Sequence, residues 1–407
     1  MKIVGLITEY NPFHNGHLYH IEKARRLTGA DSVIAVMSGD YVQRGTPAIL
    51  SKRLRAAMAL RMGVSVVIEL PVAYATGSAE YFAEGAVSIL DQLGCIDSIC
   101  FGSECGDITM LEEPARLLAD EPEHYQTALR AALRKGQAYP KARQTALVQC
   151  LENASEQILE KPNNILGVEY LKALYRRKSP IKAYTITRKS SGYHDTELKD
   201  RFSSATAIRK ELLHGSPDEV ISQIPAQCND LMQENILNRQ FLCADDFSLL
   251  LKYVLLKETP ETLCRYQDVS EDLANRIWKN RNQFQSFEKF CELLKTKELT
   301  YSRISRSLLH ILLQITTNDV TTYKKNGGCR YAHILGFRND STATLTHMKT
   351  HTSIPLLTRL AQSQELDDCA LHMLKQDIFA SDLYESVRTD RYQIPFCSEY
   401  QQQILRI

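Results

Sequence analysis

The sequence predicts an α/β protein with a Rossmann-like, doubly wound parallel sheet, a helical insertion and a mainly α-helical C-terminal domain. Over residues 1–100, short β-branched segments alternate with segments of helical periodicity, as in the strand–helix–strand units of a parallel sheet. Beyond Pro217 the β-rich segments vanish, and helical periodicity persists almost to the end. The length of 407 residues exceeds what one ordinary core encloses, so a second domain is expected.

Each element of the first domain follows from this periodicity. Buried strands are predicted at residues 2–8, 31–38, 64–70, 98–101 and 181–187. Helices are predicted at residues 16–27, 51–62, 79–93, 165–177 and 203–213. A helical insertion occupies about residues 108–152, with a break between helices at Tyr139-Pro140. We therefore expect a catalytic domain over residues 1–215 and a mainly helical domain over residues 216–407.

Composition and charge narrow the class of protein. Hydrophobic residues make up 44% and charged residues 24%, which is typical of soluble globular chains. Lysine plus arginine (49) nearly cancels aspartate plus glutamate (48), so a nucleic-acid footprint would have to be local. The 11 cysteines are an odd number, and the sequence shows neither a secretory signal nor a membrane-spanning run. They are expected to be reduced thiols in a cytoplasmic protein, and their spacing predicts no metal site.

Two histidines stand where the first predicted strand turns into a helix. A helix N-terminus at the end of a strand offers free N–H groups and a positive dipole, which favour a phosphate. His14 and His17 can donate hydrogen bonds to charge that develops on a phosphoryl group, and Gly16 allows a close backbone approach. Paired histidines on a helix are often structural or metal-binding. Their place at the carboxyl end of the first strand favours the phosphate site.

Several longer motifs surround this histidine pair. They are GLITEYNPFHNGH at residues 5–17, MSGDYVQRG at 37–45, ELP at 69–71, FGSE at 101–104 and PNNILG at 162–167. The HxGH match resembles the nucleotidyltransferase superfamily, whose members attack the α-phosphate of a nucleoside triphosphate and expel diphosphate. The longer motifs resemble the bacterial tRNA(Met) cytidine acetate ligase family. The resemblance spans the chain and is densest before about residue 215.

The resemblance implies an ATP-dependent, tRNA-modifying ligase. Such an enzyme activates acetate to acetyl-adenylate and transfers the acetyl group to the exocyclic amine of the wobble cytidine of elongator tRNA(Met), which gives N(4)-acetylcytidine. ATP and acetate would be substrates, and Mg²⁺ would be bound by the phosphates. Two alternatives remain at this point: a small-molecule adenylyl- or cytidylyltransferase, and a non-catalytic, nucleotide-sensing RNA-binding protein. The sequence leaves the oligomeric state open.

The resemblance also implies which residues form the site. Catalytic roles fall to His14, His17 and Arg209, and Asn164 is expected to contact the nucleotide while Asn163 caps its helix. Arg188, at the end of the fifth predicted strand, could bind phosphate oxygens. The implied ATP-binding residues are Ile7, Thr8, Glu9, Tyr10, Asn11, Pro12, Phe13, His14, Asn15, Gly16, His17, Leu18, Tyr19, His20, Gly102, Asn163, Asn164, Arg188, Ser204 and Thr206.

Two further sets of residues are candidates for the other substrates. Asp40, Gln43 and Arg44 follow the second strand at the same sheet edge and form a candidate acetate or acceptor loop. Residues 276–330 hold 11 lysines and arginines against four acids, with aromatic residues between them. Shorter basic runs lie at residues 172–189 and 130–143. We expect tRNA contacts in the first of these segments, and the candidates are Arg276, Lys279, Arg303 and Arg306.

Overall fold

A computed structural model of the chain describes residues 1–137, 139–151, 160–188, 198 and 203–407. Within these ranges the strands are β1 Ile3–Thr8, β2 Ser32–Ser38, β3 Tyr41–Val42, β4 Thr46–Pro47, β5 Val66–Leu70, β6 Ser98–Ser103, β7 Lys182–Thr187, β8 Ala332–Phe337, β9 Leu356–Leu357 and β10 Leu405–Arg406. The main sheet has the order β10-β8-β5-β2-β1-β6-β7, with β9 beside β8, while β3 and β4 form a separate antiparallel hairpin.

Five neighbouring strands of the main sheet are parallel, in the order β5-β2-β1-β6-β7. From β1 the chain first moves to β2 and β5 on one side, and later to β6 and β7 on the other. The strand order therefore reverses next to β1, and a crevice opens beyond the carboxyl ends of the strands at that point. These five strands are the five that the sequence predicts, and the predicted doubly wound fold is confirmed.

Helices cover both faces of the sheet and form most of the C-terminal half. They are α1 Asn15–Thr28, α2 Lys52–Arg61, α3 Val72–Ala75, α4 Ala79–Gln92, α5 Thr109–Asp120, α6 Glu123–Arg134, α7 Tyr139–Cys150, α8 Pro162–Arg177, α9 Ala205–His214, α10 Asn229–Leu237, α11 Ser248–Lys257, α12 Pro260–Leu263, α13 Glu271–Asn280, α14 Phe287–Leu294, α15 Tyr301–Leu313, α16 Thr317–Lys325, α17 Thr342–His351 and α18 Asp368–Tyr392. Helices α5, α6 and α7 occupy the predicted insertion. None of the described helices is long and apolar enough to cross a membrane.

The C-terminal half contributes strands to the sheet, which the sequence pattern did not predict. Strand β8 pairs antiparallel with β5, and β9 and β10 pair with β8. A six-residue apolar segment that contains His333 and Gly336 is as compatible with a buried helix as with a strand, so its periodicity gave no signal. The boundary at residue 215 stays a prediction, but the sheet extends beyond it.

A buried cluster of charges joins the two halves of the chain. The Lys52 Nζ on α2 lies 2.8 Å from Glu69 Oε1 on β5, 3.1 Å from Glu399 Oε1 and 2.7 Å from Ser381 Oγ on α18. His333 Nδ1 on β8 lies 2.8 Å from the other Glu69 oxygen. The four charged or titratable side chains are buried. Each charge thus has an opposite partner, which offsets the cost of removing it from water.

Candidate active site

A cavity of about 250 Å³ opens at the carboxyl edge of the sheet, where the strand order reverses. It is bordered by the end of β1, the N-terminus of α1, the ends of β6 and β7, and residues of α8 and α9. The lining residues are Ile7, Thr8, Glu9, Tyr10, Asn11, His14, Gly16, His17, Tyr19, His20, Gln43, Arg44, Phe82, Phe101, Gly102, Asn163, Leu166, Tyr170, Ile186, Thr187, Arg188, Ser203, Ala205 and Arg209. This is the place where open α/β sheets bind ligands.

The two histidines of the HxGH motif form the N-terminal cap of α1. His14 is the N-cap residue, and its Nδ1 accepts the Gly16 N–H at 3.0 Å. The His14 N–H in turn donates to His17 Nδ1 at 3.3 Å, and the two ring centroids lie 3.9 Å apart. Because Nδ1 accepts a hydrogen bond in both rings, a neutral ring must carry its proton on Nε2. Each histidine therefore keeps an Nε2–H donor for a ligand in the cavity.

Both rings stay neutral at physiological pH. Burial, followed by the positive charges of Arg188 and Arg209, lowers the pKa of His14 to about 3. Burial, with further contributions from His14 and Arg188, lowers the pKa of His17 well below its ordinary value. Burial also lowers the pKa of His20 to about 4, while its Nε2 lies 3.2 Å from the Cys100 carbonyl oxygen. The cavity thus holds neutral hydrogen-bond donors near two guanidinium charges.

The two predicted arginines converge on this cavity from different elements. Arg188, just after β7, donates from Nη1 to Asn163 Oδ1 at 2.8 Å. Arg209, in the second turn of α9, donates from Nη1 to the Asn11 carbonyl at 2.8 Å and from Nη2 to Thr206 Oγ1 at 3.3 Å. Both arginines line the cavity. They bring fixed positive charge to the site that favours an anionic ligand.

The asparagine pair divides its roles differently from the prediction. Asn163 lines the cavity, whereas the Asn164 side chain is buried and its Oδ1 accepts the N–H groups of Glu104 and Cys105 at 2.9 and 3.1 Å. Lys161, not an asparagine, is the N-cap residue of α8. The Glu104 carboxylate accepts the first N–H groups of the helix from Asn163 and Asn164. The expected asparagine cap is therefore wrong, because an acidic side chain from the FGSE motif takes that place.

Other predicted nucleotide contacts do not line the cavity. Ser204 caps α9 through the Ala207 N–H at 3.0 Å, and Asn15 donates to the Ser222 carbonyl at 3.0 Å. Phe13 is fully buried against Tyr10. The predicted contacts that are not among the described lining residues are Pro12, Phe13, Asn15, Leu18, Asn164, Ser204 and Thr206. Their nucleotide contacts stay predictions.

The candidate acetate loop is the β3–β4 hairpin and its flanks. Gln43 and Arg44 line the cavity, and the Gln43 N–H donates to Glu9 Oε1 at 2.9 Å. Asp40 instead is buried, and its Oδ1 accepts the Lys52 N–H at 2.7 Å, so it does not line the cavity. The expectation that Asp40 looks into the cleft is wrong, because the start of α2 takes up its carboxylate.

Sequence reasoning missed an apolar part of the wall. Phe82 on α4, Phe101 on β6, and Leu166 and Tyr170 on α8 form this part. The other lining residues that were not predicted are Ile186, Thr187, Ser203 and Ala205. In the sequence, an apolar residue that lines a cavity cannot be distinguished from one that is buried in the core. Only the spatial arrangement identifies them.

The predicted tRNA contacts lie on helices α13 and α15, outside the cavity lining. The Arg276 guanidinium donates to the carbonyls of Leu294 and Leu293 at the end of α14, at 2.6 and 3.0 Å. Arg306 pairs with Asp268 at 2.9 Å. Lys279 is exposed and Arg303 is half-buried.

Most aromatic residues between these basic residues belong to the core. Phe284, Phe287, Phe290 and Tyr323 are buried, so they are not available for stacking on bases as the interleaved pattern suggested. Trp278 is half-buried, and the Arg281 guanidinium lies 3.2 Å from its ring centroid. Among the four predicted contacts, Lys279 and Arg303 remain the better candidates for phosphate binding.

Comparisons with known proteins agree with this geometry. The HIGH Nucleotidyl Transferase family model matches residues 1–395. A tRNA(Met) cytidine acetate ligase of Alkaliphilus metalliredigens is 40% identical over 400 residues, covering 94% of each chain. Another, from Thermoanaerobacter sp., is 42% identical over 387 residues, covering 94% of this chain and 95% of its own.

Solved structures agree as well. The crystal structure of Thermotoga maritima TmcAL in its apo form has a TM-score of 0.94 and 34% identity, with 100% of both chains covered. The crystal structure of the same protein bound with alpha-thio ATP has a TM-score of 0.91 and 34% identity, with 100% of this chain and 99% of that chain covered. The chain thus belongs to the HIGH nucleotidyl transferase family and, within it, to the family of the tRNA(Met) cytidine acetate ligases.

Proposed function

We propose that this protein activates acetate with ATP and transfers the acetyl group to the wobble cytidine of elongator tRNA(Met), giving N(4)-acetylcytidine. The observation that carries the proposal is the pair of neutral imidazoles, His14 and His17, beside Arg188 and Arg209 in one cavity at the switch point of the sheet. The names of the relatives, and the ATP analogue bound to one of them, support the choice of substrates.

In the first step an acetate oxygen attacks the α-phosphorus of ATP. The new O–P bond forms as the bond between the α- and β-phosphates breaks, and diphosphate leaves. Acetate is already a nucleophile, so positioning and charge stabilisation suffice without a general base. The Nε2–H groups of His14 and His17 donate to the charge that develops on the α-phosphate. Arg188 and Arg209 hold the negative charge of the triphosphate and of the leaving diphosphate.

A magnesium ion fits this site only as a partner of the phosphates. Among the described residues that line the cavity, Glu9 is the one carboxylate, and its Oε1 accepts the Gln43 N–H. Mg²⁺ takes oxygen ligands, which are usually water molecules, substrate phosphates and only one or two protein carboxylates. The ion would therefore be held mainly by the phosphates of ATP, with Glu9 as the available carboxylate, and it would supply charge neutralisation.

In the second step the exocyclic amine of cytidine attacks the acetyl carbonyl carbon. The C–N bond forms, the C–O bond to the adenylate breaks, AMP leaves, and the amine loses one proton. The base must leave its stack to reach the acyl-adenylate in the cavity, which an anticodon loop permits at small cost. Our candidates for binding the tRNA backbone are Lys279, which is exposed on α13, and Arg303, which is half-buried on α15.

The first step is tested by acetate-dependent exchange of labelled diphosphate into ATP. We expect exchange with ATP and acetate in the absence of tRNA, and loss of exchange when acetate is omitted. An exchange that needs no acetate, or that needs a phosphorylated metabolite instead, would contradict the proposal. This readout separates acetate activation from tRNA docking, which the assay does not require.

A further inference from the structure

A buried amide in the cavity wall lacks a hydrogen-bond partner. Gln43 lines the cavity, yet its Nε2 is shielded from solvent and has no hydrogen-bond partner among the described residues. A buried donor without a partner has lost its hydrogen bonds to water and gained none in return. A conformation in which this amide turns toward the cavity and meets an acceptor is therefore favoured once an acceptor is bound there.

The backbone around this amide is fixed, so a rotation of the side chain alone is needed. The Gln43 N–H donates to Glu9 Oε1 at 2.9 Å. Two residues further along the hairpin, the Gly45 carbonyl accepts the Ser305 Oγ–H of α15 at 2.9 Å. The hairpin backbone is thus held at two points, while the Gln43 Nε2 has no hydrogen-bond partner among the described residues.

The position of Gln43 suits the nucleophile rather than the nucleotide. Gly102, Asn163 and Arg188 line the cavity on the β6–β7 side of β1. The hairpin that carries Gln43 lies on the other side, after β2. An in-line attack on the α-phosphate requires a nucleophile on the side opposite the leaving diphosphate. With the leaving diphosphate on the side of Arg188, the hairpin side remains for the attacking carboxylate.

Charge near the hairpin favours an anion. Arg44 also lines the cavity, and the fully buried Arg55 donates to the carbonyls of Glu9 and Ser38 at 2.6 and 3.1 Å. Arg44 brings positive charge to the cavity itself, whereas the charge of Arg55 acts on the carboxylates of Asp40, Glu9 and Glu69. One oxygen of the Glu9 carboxylate is engaged by the Gln43 N–H.

An apolar part of the cavity wall suits a small aliphatic group. Phe82, Phe101, Leu166 and Tyr170 line it, and the rings of Phe101 and Tyr170 lie 5.4 Å apart between centroids. Burial, and after it the negative charge of Glu9, raises the pKa of Tyr170. An apolar wall beside hydrogen-bond donors matches a carboxylate with a short alkyl chain.

We propose that the Gln43 side-chain amide donates to the carboxylate of acetate, and that the apolar wall of Phe82, Phe101, Leu166 and Tyr170 holds the methyl group and limits the acid to two carbons. The proposal rests on the proposed function, because it names the subsite of the carboxylate substrate. It assigns Gln43 a role in binding acetate and the wall a role in selecting it.

The carboxylate contact is tested with Gln43→Leu in the acetate-dependent exchange assay. A hydrogen bond to a charged group contributes about 1.5–3 kcal/mol, so the KM for acetate should rise at least about tenfold while the KM for ATP stays within about twofold. Gln285→Leu, at an exposed position, is the matched control and should change neither value. An unchanged KM for acetate in Gln43→Leu would overturn the assignment. Absence of acetate-dependent exchange in the unmodified protein would instead overturn the proposed function.

The apolar wall is tested with propionate in place of acetate. Leu166 is half-buried, so Leu166→Ala should fold, which retained ATP affinity would verify. An apolar pocket that has room for one more methylene group changes the preference between two such substrates by about tenfold or more. We expect the ratio of kcat/KM for propionate to that for acetate to rise about tenfold in Leu166→Ala or in Phe82→Leu. An unchanged ratio in both variants would show that the wall does not select the acid.

Discussion

At the scale of single residues, the hydrogen bonds of His14 and His17 determine what the two rings can do. Each Nδ1 accepts a backbone N–H at the start of α1, and each pKa lies far below neutrality. The rings therefore act as neutral Nε2–H donors rather than as acids. The same contacts position the helix N-terminus and orient the donors.

Removing one donor should cost about a hundredfold or more in the rate of acetyl-adenylate formation. His17→Ala removes the ring. His14→Asn retains an oxygen that can cap α1 but removes the Nε2–H. Acetate-dependent diphosphate exchange measures the effect. His124→Ala, on the exposed face of α6, is the control and should keep the parental rate. Near-parental exchange in either site variant would show that the rings do not stabilise the transition state.

The sequence predicted this histidine pair because a motif at a strand end is local information. It could not assign the roles of Asn163 and Asn164, since the carboxylate that accepts the first N–H groups of their helix, that of Glu104, comes from a different part of the chain. The prediction that Asp40 faces the cleft was wrong for the same reason, because its carboxylate accepts the N–H of Lys52 at the start of α2. Motif spacing locates a site, whereas side-chain partners depend on tertiary packing.

At the scale of elements, the β3–β4 hairpin connects the cavity to the C-terminal helices. Gly45 has a φ of +77°, and a Cβ there would lie 2.3 Å from the backbone nitrogen of Arg306. The hairpin and α15 therefore approach so closely that only glycine fits. Gln43 and Arg44 in the same turn line the cavity.

Gly45→Ala should therefore disturb both stability and the site. The left-handed backbone conformation costs an alanine about 1 kcal/mol, and displacement of α15 adds to it. Gly136 has the same φ of +77°, but a Cβ at that position would meet no atom of the described residues within 4 Å, so Gly136→Ala isolates the backbone cost. Chemical denaturation should show a larger decrease in stability for Gly45→Ala, with a raised KM for acetate. Equal decreases in the two variants would mean that the contact with α15 is unimportant.

The proposed tRNA surface belongs to α13 and α15. Lys279→Glu and Arg303→Glu should weaken tRNA binding and reduce the slope of its salt dependence by about one for each phosphate that is no longer bound. ATP affinity should stay unchanged, because both side chains lie outside the cavity lining. Lys349→Glu, at an exposed position on α17, is the control. Filter binding of tRNA at several salt concentrations measures the effect, and parental affinity in both variants would exclude this surface.

At the scale of the whole molecule, the sheet and the buried charges unite the two halves. The C-terminal half adds β8 beside β5, and its Glu399 and His333 complete the charge cluster around Lys52 and Glu69. A fragment that ends at residue 215 would leave β5 as an open edge and two buried charges without all their partners. The two chemical steps are thus better separated by substitution than by truncation. Periodicity along the chain could not predict that the C-terminal half completes the sheet and the charge cluster, because strand partners distant in sequence leave no local pattern.

Lys52→Met should lower the free energy of unfolding by about 3–5 kcal/mol, because it leaves Glu69 buried without its lysine and leaves Glu399 with Arg53 alone. Burial alone would raise the pKa of Glu69, but Lys52 and His333 hold it at about 2. A lowered folded-state pKa stabilises the protein above the ordinary value of 4.5, and this stability is lost as pH falls toward 2. Arg330→Met breaks a surface pair with Asp367 and should cost less than about 1 kcal/mol. Similar decreases for the two variants in urea denaturation would contradict the structural role of the cluster.

The most direct test of acetate activation and transfer is to incubate the full chain with ATP, ¹³C-labelled acetate and elongator tRNA(Met), and then to analyse the tRNA nucleosides by mass spectrometry. We expect labelled N(4)-acetylcytidine at the wobble position, with AMP and diphosphate formed in equal amounts and no product from His17→Ala. ATP cleavage without label in the tRNA, or label that appears equally with His17→Ala, would contradict the proposed function.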